Sequence, residues 1–147
     1  MPEKETLERA AEDKAEGKSP STQAGEFVRE EIEHVREGKH GARSAKQAIA
    51  IGLSKARRAG VKLPVPKKGK ASKTTRKQAA RDLRKGKSPG KKKSAKRSRA
   101  TSQALKREGR SAASKTALSR QAHRAAAKRS AASRSRSAKK AVRTRKK

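Results

Sequence analysis

The residues with the clearest chemical role in this sequence are its lysines and arginines. The chain of 147 residues holds 45 of them against 13 aspartates and glutamates, which gives a formal net charge of +32. Cationic side chains at this density neutralise phosphates and release the counterions condensed on a nucleic acid, without any reading of bases. The alternative is a merely solvated basic segment, and the density of the basic runs argues against it. The composition therefore predicts a polyanionic partner.

The charge changes sign along the chain at Arg43. Residues 1–42 carry 11 acidic and 7 basic side chains, whereas residues 43–147 carry 38 bases and only two acids, Asp82 and Glu108. We therefore expect the nucleic-acid contacts to come from Arg43 onward. The residues predicted to contact phosphates are Arg43, Lys46, Lys55, Arg57, Arg58, Lys67, Lys68, Lys70, Lys91, Lys92, Lys93, Lys96, Arg97, Arg99, Lys128, Arg129, Arg134, Arg136, Lys139, Lys140, Arg143 and Arg145.

Other kinds of chemistry lack the residues they need. The absence of cysteine excludes disulfides, thiol catalysis and cysteine-based zinc sites, and tyrosine and tryptophan are absent as well. The carboxylates cluster on acidic helical segments rather than around a pocket, so we expect no enzyme activity. His34 and Glu30 share a helical face, as two metal ligands would, but a solvated histidine on an acidic helix explains the pattern better. No metal or cofactor is therefore expected.

Two helices that would position these cations are predicted from the apolar spacing of the first half. Ser19 and Pro20 open one helix, which Gly38 closes, and Ser44–Gly60 reads as a second helix with a serine cap and a glycine end. The short connector between them makes antiparallel neighbours, so residues 19–60 are predicted to form a helical hairpin. The residues expected to meet inside it are Phe27, Ile32 and Val35 with Ile49, Leu53 and Ala56.

The remaining segments are predicted to contribute little folded structure. Residues 1–18 form a marginal helix, residues 61–66 an extended proline linker, and residues 67–147 a basic tail. That tail holds four large aliphatic residues, Leu83, Leu105, Leu118 and Val142. Four such residues cannot offset an ordering entropy of about 1–2 kcal/mol per residue, so the tail is predicted to be disordered. The expected fold class is mainly α: a hairpin of two or three helices followed by a long disordered tail.

Two resemblances extend this interpretation. Lys46–Ala50 and Ala56–Gly60, within the segment KQAIAIGLSKARRAG, resemble a segment shared by small basic bacterial proteins of uncharacterised function. That resemblance implies a bacterial source and no particular activity. The tail, rich in Lys, Ala, Ser and Arg, resembles the C-termini of linker histones and the basic tails of bacterial histone-like proteins, and Ser88–Lys92 resembles the Ser-Pro-basic-basic turn of the former.

Together these features predict a histone-like protein that coats or condenses DNA without sequence specificity. A structural RNA-binding or ribosome-associated protein is the second interpretation, and an adaptor whose hairpin binds a protein partner or a second copy is the third. The phosphates common to DNA and RNA leave these alternatives open. No apolar run approaches the length of a membrane span, and the N-terminus lacks a secretion signal. The expected location is therefore the cytoplasm, associated with the nucleoid.

Overall fold

The protein is described by a computed structural model that covers residues 1–88 and 94–145. Seven α-helices and a short 3-10 turn at Ser111–Ala113 lie within the described residues. Their bounds are α1 Lys4–Ala15, α2 Pro20–Glu37, α3 Ala45–Arg58, α4 Lys73–Lys87, α5 Ala95–Lys106, α6 Lys115–Ala127 and α7 Ala131–Arg145. The prediction of a mainly α protein is confirmed.

Helices α2 and α3 pack against each other and begin and end at local signals. The Ser19 hydroxyl accepts from the Thr22 amide at the start of α2, and the Ser44 hydroxyl accepts from the Gln47 amide at the start of α3. After α3, Gly60 has a φ of 97° and the Val61 amide donates to the Ala56 carbonyl at 3.1 Å. This left-handed cap folds Val61 back into the core, where it is buried.

Two apolar clusters hold the helices together. In the first, Phe27 packs among small residues of α1, α2 and α3 and against the segment that follows α3. Its buried members are Ala10, Ala24, Phe27, Ala56, Val61 and Leu63, and Leu53 packs against them. The second cluster has the buried members Ile32, Val35, Ala42, Ala48, Ala112 and Ala113, with Val28 and Leu118 packed against them. Residues far along the basic half of the chain therefore contribute to the core.

The prediction of a long disordered basic tail is wrong. The described part of residues 67–145 contains the four helices α4 to α7. Helix α4 packs on α3 through the buried Ala79, the 3-10 turn packs on α2 and α3, and α6 packs on α3. The prediction counted only large aliphatic residues. It missed that alanines can be buried completely when helices approach closely, as Ala113 is at 0% exposure.

Serine caps explain why helices begin where they do in this basic region. Ser72, Ser94 and Ser114 each accept a hydrogen bond from the backbone amide three residues later, at the first turns of α4, α5 and α6. Each such cap stabilises a helix by about 1 kcal/mol. The residues between the caps are mainly Ala, Arg, Lys and Gln, which have high helix propensity. Local sequence therefore favours helices here despite the mutual repulsion of the cations.

Two glycines show how closely the basic region approaches the first three helices. A Cβ atom on Gly86 of α4 would lie 2.2 Å from the Arg57 carbonyl oxygen at the end of α3. A Cβ atom on Gly41 would lie 1.9 Å from the Glu108 carbonyl oxygen. Two backbone hydrogen bonds complete the second contact, from the Gly41 amide to Leu105 at 2.9 Å and from the Ala42 amide to Gly109 at 3.0 Å. Only glycine fits at either crossing.

Candidate nucleic-acid interface

Three of the predicted phosphate-binding residues on α3 are used to hold the protein together. Lys55 is 22% exposed, and its Nζ lies 2.7 Å from a Glu31 carboxylate oxygen and 3.2 Å from a Glu30 oxygen. Arg57 is buried and donates to the backbone carbonyls of Leu63 and Pro64. Burial lowers the pKa of its guanidinium, with the charge of Asp82 acting in the opposite direction. These contacts leave Lys55 and Arg57 poorly placed to meet a phosphate.

Arg58, the third of these cations, is paired with the one buried acid of the basic region. The Asp82 carboxylate is 1% exposed and accepts from Arg58 Nε at 3.0 Å, from the Ser54 hydroxyl at 2.7 Å and from Gln78 at 3.1 Å. This network attaches α4 to α3, since Arg58 and Ser54 belong to α3 while Asp82 and Gln78 belong to α4. Arg58 therefore has a structural role in the contact between the two helices.

Arg43 and Lys46 lie in a cationic cleft where the first turns of α3 and α6 meet. The cleft has a volume of about 520 Å³ and is lined by both of these residues and by Arg120 and Arg124 of α6. All four cations are exposed. Arg43 lies 3.5 Å from Glu108, although its side chain is 81% exposed. The capped amino-terminal turns of two helices add their positive dipole ends to the same cleft.

A second cationic surface lies along the outer face of α4, which we call the α4 stripe. It consists of Lys73, Lys77, Arg81 and Arg84, all exposed and spaced three or four residues apart. The opposite face of α4 carries the buried Ala79 and Asp82. Among the described residues, none of the four stripe cations forms an ion pair within 4.0 Å. The four stripe cations are not among the predicted phosphate contacts, although the Ser72 cap and their spacing indicate an amphipathic helix.

The other predicted contact residues are exposed and distributed along the rest of the basic region. Lys67, Lys68 and Lys70 lie in the turn before α4. On or beside α5, α6 and α7 the exposed members are Lys96, Arg97, Arg99, Lys128, Arg129, Arg134, Arg136, Lys139, Lys140, Arg143 and Arg145. Helices α5 and α7 bury no residue of their own. Lys91, Lys92 and Lys93 lie outside the described residues, as does most of the Ser88–Lys92 turn.

The positive charge of the basic region is almost uncompensated, because the region has only two acids and neither is fully exposed. Residues 67–147 contain 32 lysines and arginines against Asp82 and Glu108. Asp82 is buried, and the Glu108 side chain is 30% exposed next to Arg43. Several acids of α1 and α2 pair with cations of the same two helices, such as Glu26 with Arg9 at 2.7 Å and Glu33 with Arg29 at 3.0 Å. The basic helices therefore present positive charge to solvent.

The fold and this surface define a small helical protein with strongly segregated charge. Residues 13–69 match the model of a family of unknown function (DUF6496). That match covers α2, α3 and most of the turn before α4. The KQAIAIGLSKARRAG segment, residues 46–60, lies within it. No curated protein and no solved structure matches the chain. Within the described residues, every helix is too short or too polar to cross a lipid bilayer.

Proposed function

We propose that this protein binds the phosphate backbone of nucleic acids without reading base sequence, with duplex DNA in the nucleoid as its main partner. The observation that carries the proposal is the orientation of charge in the basic region. Its helices expose cations along the α4 stripe and in the cleft of α3 and α6, while Asp82 is buried beneath them. Cations carried on folded helices neutralise phosphates with little further loss of backbone freedom.

The lack of exposed aromatic residues favours duplex binding over single-strand binding. Proteins that bind single strands stack the bases on aromatic side chains. The chain contains one residue among Phe, Tyr and Trp, which is Phe27, and it is 1% exposed in the first apolar cluster. Contacts to phosphates along a duplex need no such stacking surface. The resemblance of the basic region to linker-histone C-termini in composition supports the same partner.

The position of α3 argues against a sequence-reading helix. A recognition helix must present one face to the major groove. Helix α3 packs against α2 on one side and α4 on another, and its side chains Lys55, Arg57 and Arg58 are engaged in internal contacts. Only its first turn, with Lys46, lies open in the cleft. We therefore propose backbone binding rather than base recognition.

The salt dependence of binding tests this proposal. We expect the full chain to bind two duplexes of equal length and unrelated sequence with equal affinity, measured by fluorescence anisotropy between low and moderate salt. If about ten phosphates are neutralised, the slope of log affinity against log salt concentration is about −9. A slope near zero, or a strong preference for one of the duplexes, would overturn the proposal.

Two measurements separate DNA from structured RNA as the partner: the same binding assay with an RNA duplex, and nuclease release from lysed cells. A base-paired RNA of equal length presents phosphates too, but in A-form geometry. We expect tighter binding to the DNA duplex at matched salt, and release of the protein from lysed cells by DNase rather than by RNase. Tighter RNA binding together with release by RNase would replace the DNA proposal by a role in RNA or ribosome association.

A further inference from the structure

Three potential metal ligands converge where α2 ends. Glu31 and His34 lie one helical turn apart on α2, and His40 follows in the turn after the helix. One ligand atom from each of the three residues lies within 4.8 Å of the others. Glu31 is buried at 1% exposure, and the side chains of His34 and His40 are 13% and 17% exposed. The helical spacing pairs His34 with Glu30, but in the structure the neighbouring Glu31 is the acid that lies near both histidines.

The hydrogen bonding of His40 leaves one of its nitrogens facing the Glu31 carboxylate. Its Nδ1 lies 3.0 Å from the Gly41 carbonyl oxygen, which can only accept, so Nδ1 carries the hydrogen. The Nε2 of a neutral ring then presents a lone pair 3.0 Å from a Glu31 oxygen. Two acceptors at that distance repel each other unless a cation, either a proton or a metal ion, lies with them.

Glu31 is a buried carboxylate whose negative charge is compensated only in part by its neighbours. Neither of its oxygens has a hydrogen bond of good geometry among the described residues. The ammonium of Lys55 lies 2.7 Å from one Glu31 oxygen and 3.2 Å from a Glu30 oxygen, so two buried carboxylates share this one cation. A buried and unsatisfied carboxylate is costly. A metal ion bound to the oxygen facing His40 would satisfy it.

His34 has the outer contact that metal-binding histidines commonly show. Its Nε2 lies 2.8 Å from a Glu3 carboxylate oxygen. When Nε2 donates to Glu3, Nδ1 holds the lone pair that can bind metal. A carboxylate or backbone carbonyl on the second nitrogen is the arrangement that orients histidine ligands, and both histidines have it.

We propose that Glu31, His34 and His40 bind one divalent transition-metal ion, with zinc the best match. Two imidazoles and one carboxylate suit zinc and are a poor set for magnesium or calcium, which favour oxygen ligands. The ion would tie the end of α2 to the turn whose Gly41 and Ala42 amides bond the segment Leu105–Gly109. It would therefore stabilise the attachment of the basic region to the first three helices. This site is independent of the nucleic-acid surface.

Histidine NMR on the full chain, purified without a histidine tag, tests the site in the native sequence. The chain has three histidines, and the third, His123, lies exposed on α6. On addition of one equivalent of Zn²⁺ we expect the ring nitrogen signals of His34 and His40 to shift while those of His123 stay in place. Signals that do not move, or a shift of His123 alone, would overturn the proposal.

Calorimetric titration with Zn²⁺ gives the stoichiometry and the matched control. We expect one zinc ion per chain and no binding of Mg²⁺. His40→Ala should lower zinc affinity by at least about tenfold, because mutation of an outer partner of a ligand already costs about 10–100-fold in metal affinity and loss of the ligand itself should cost no less. His123→Ala is the control and should bind zinc as the native chain does. Circular dichroism confirms that both variants remain helical. Equal zinc affinity in the two variants would contradict the assignment.

Discussion

At the scale of single residues, the cations of this protein divide into those that build the fold and those that face solvent. Lys55, Arg57 and Arg58 look like surface cations in the sequence, because nothing local marks their partners. Their carboxylate and backbone carbonyl partners are 6 to 25 residues away in the chain. Under the proposed function, the phosphate contacts come from exposed cations that have no ion pair among the described residues, such as Lys77 and Arg81.

The two acids of the basic region differ in burial, so their removal should have different costs. Asp82→Ala removes a buried acceptor of three hydrogen bonds, one of them from Arg58. We expect it to lower the free energy of unfolding by about 2–3 kcal/mol, since hydrogen bonds to charged groups contribute about 1.5–3 kcal/mol. Urea denaturation followed by circular dichroism measures the change.

Glu108→Ala is the matched control for that experiment. Its ion pair with Arg43 spans 3.5 Å, and the Arg43 side chain is 81% exposed. Such pairs contribute about 0–1 kcal/mol. Equal destabilisation by the two substitutions would mean that Asp82 does not hold α4 on α3.

At the scale of helices, α4 depends on a close approach that only glycine permits. In Gly86→Ala the new Cβ would meet the Arg57 backbone carbonyl at 2.2 Å, and backbone cannot move aside as a flexible side chain would. We expect a clear loss of stability, about 1–3 kcal/mol as for other overpacked positions. Thermal unfolding of the purified chain measures it.

Gly25→Ala provides the comparison within another helix. A Cβ atom on Gly25 of α2 meets no atom within 4 Å. Alanine is favoured over glycine inside a helix by about 1 kcal/mol, so this variant should be slightly more stable than the native chain. If Gly86→Ala is stabilised to the same extent, α4 does not pack on α3 in solution.

The helices that the sequence could predict are those with local signals, and the ones it could not are those held by distant contacts. Ser19, Ser44, Gly38 and Gly60 mark the bounds of α2 and α3 directly. The α4 stripe could also have been predicted from the sequence, because Ser72 and the spacing of Lys73, Lys77 and Arg81 define an amphipathic helix. The packing of α4 on α3, and of the 3-10 turn on α2 and α3, could not be predicted from the sequence, because it depends on small residues whose burial only the packed structure reveals.

At the scale of the whole molecule, the chain joins a region that pairs its charges internally to a region that does not. Acids and bases of the first three helices form ion pairs with one another, whereas α4 to α7 expose cations with few acids near them. If binding depends on where these cations are placed, charges lost from the two regions should have different effects. A flexible polycation would respond mainly to its total charge.

The most direct test compares two variants that each lose three positive charges from exposed helical positions. The first, Lys73→Gln, Lys77→Gln and Arg81→Gln, removes most of the α4 stripe. The second, Lys4→Gln, Lys14→Gln and Arg29→Gln, removes cations from α1 and α2. Both are titrated with the same DNA duplex by fluorescence anisotropy across a salt series.

We predict that the first variant reduces the steepness of the salt slope by about 2.7, which corresponds to three lost phosphate contacts at about 0.9 each. The second variant should keep the slope of the native chain, with only a small loss of affinity at low salt from long-range attraction. Equal losses in both variants, or no change in the slope of the first, would contradict binding by a fixed cationic surface.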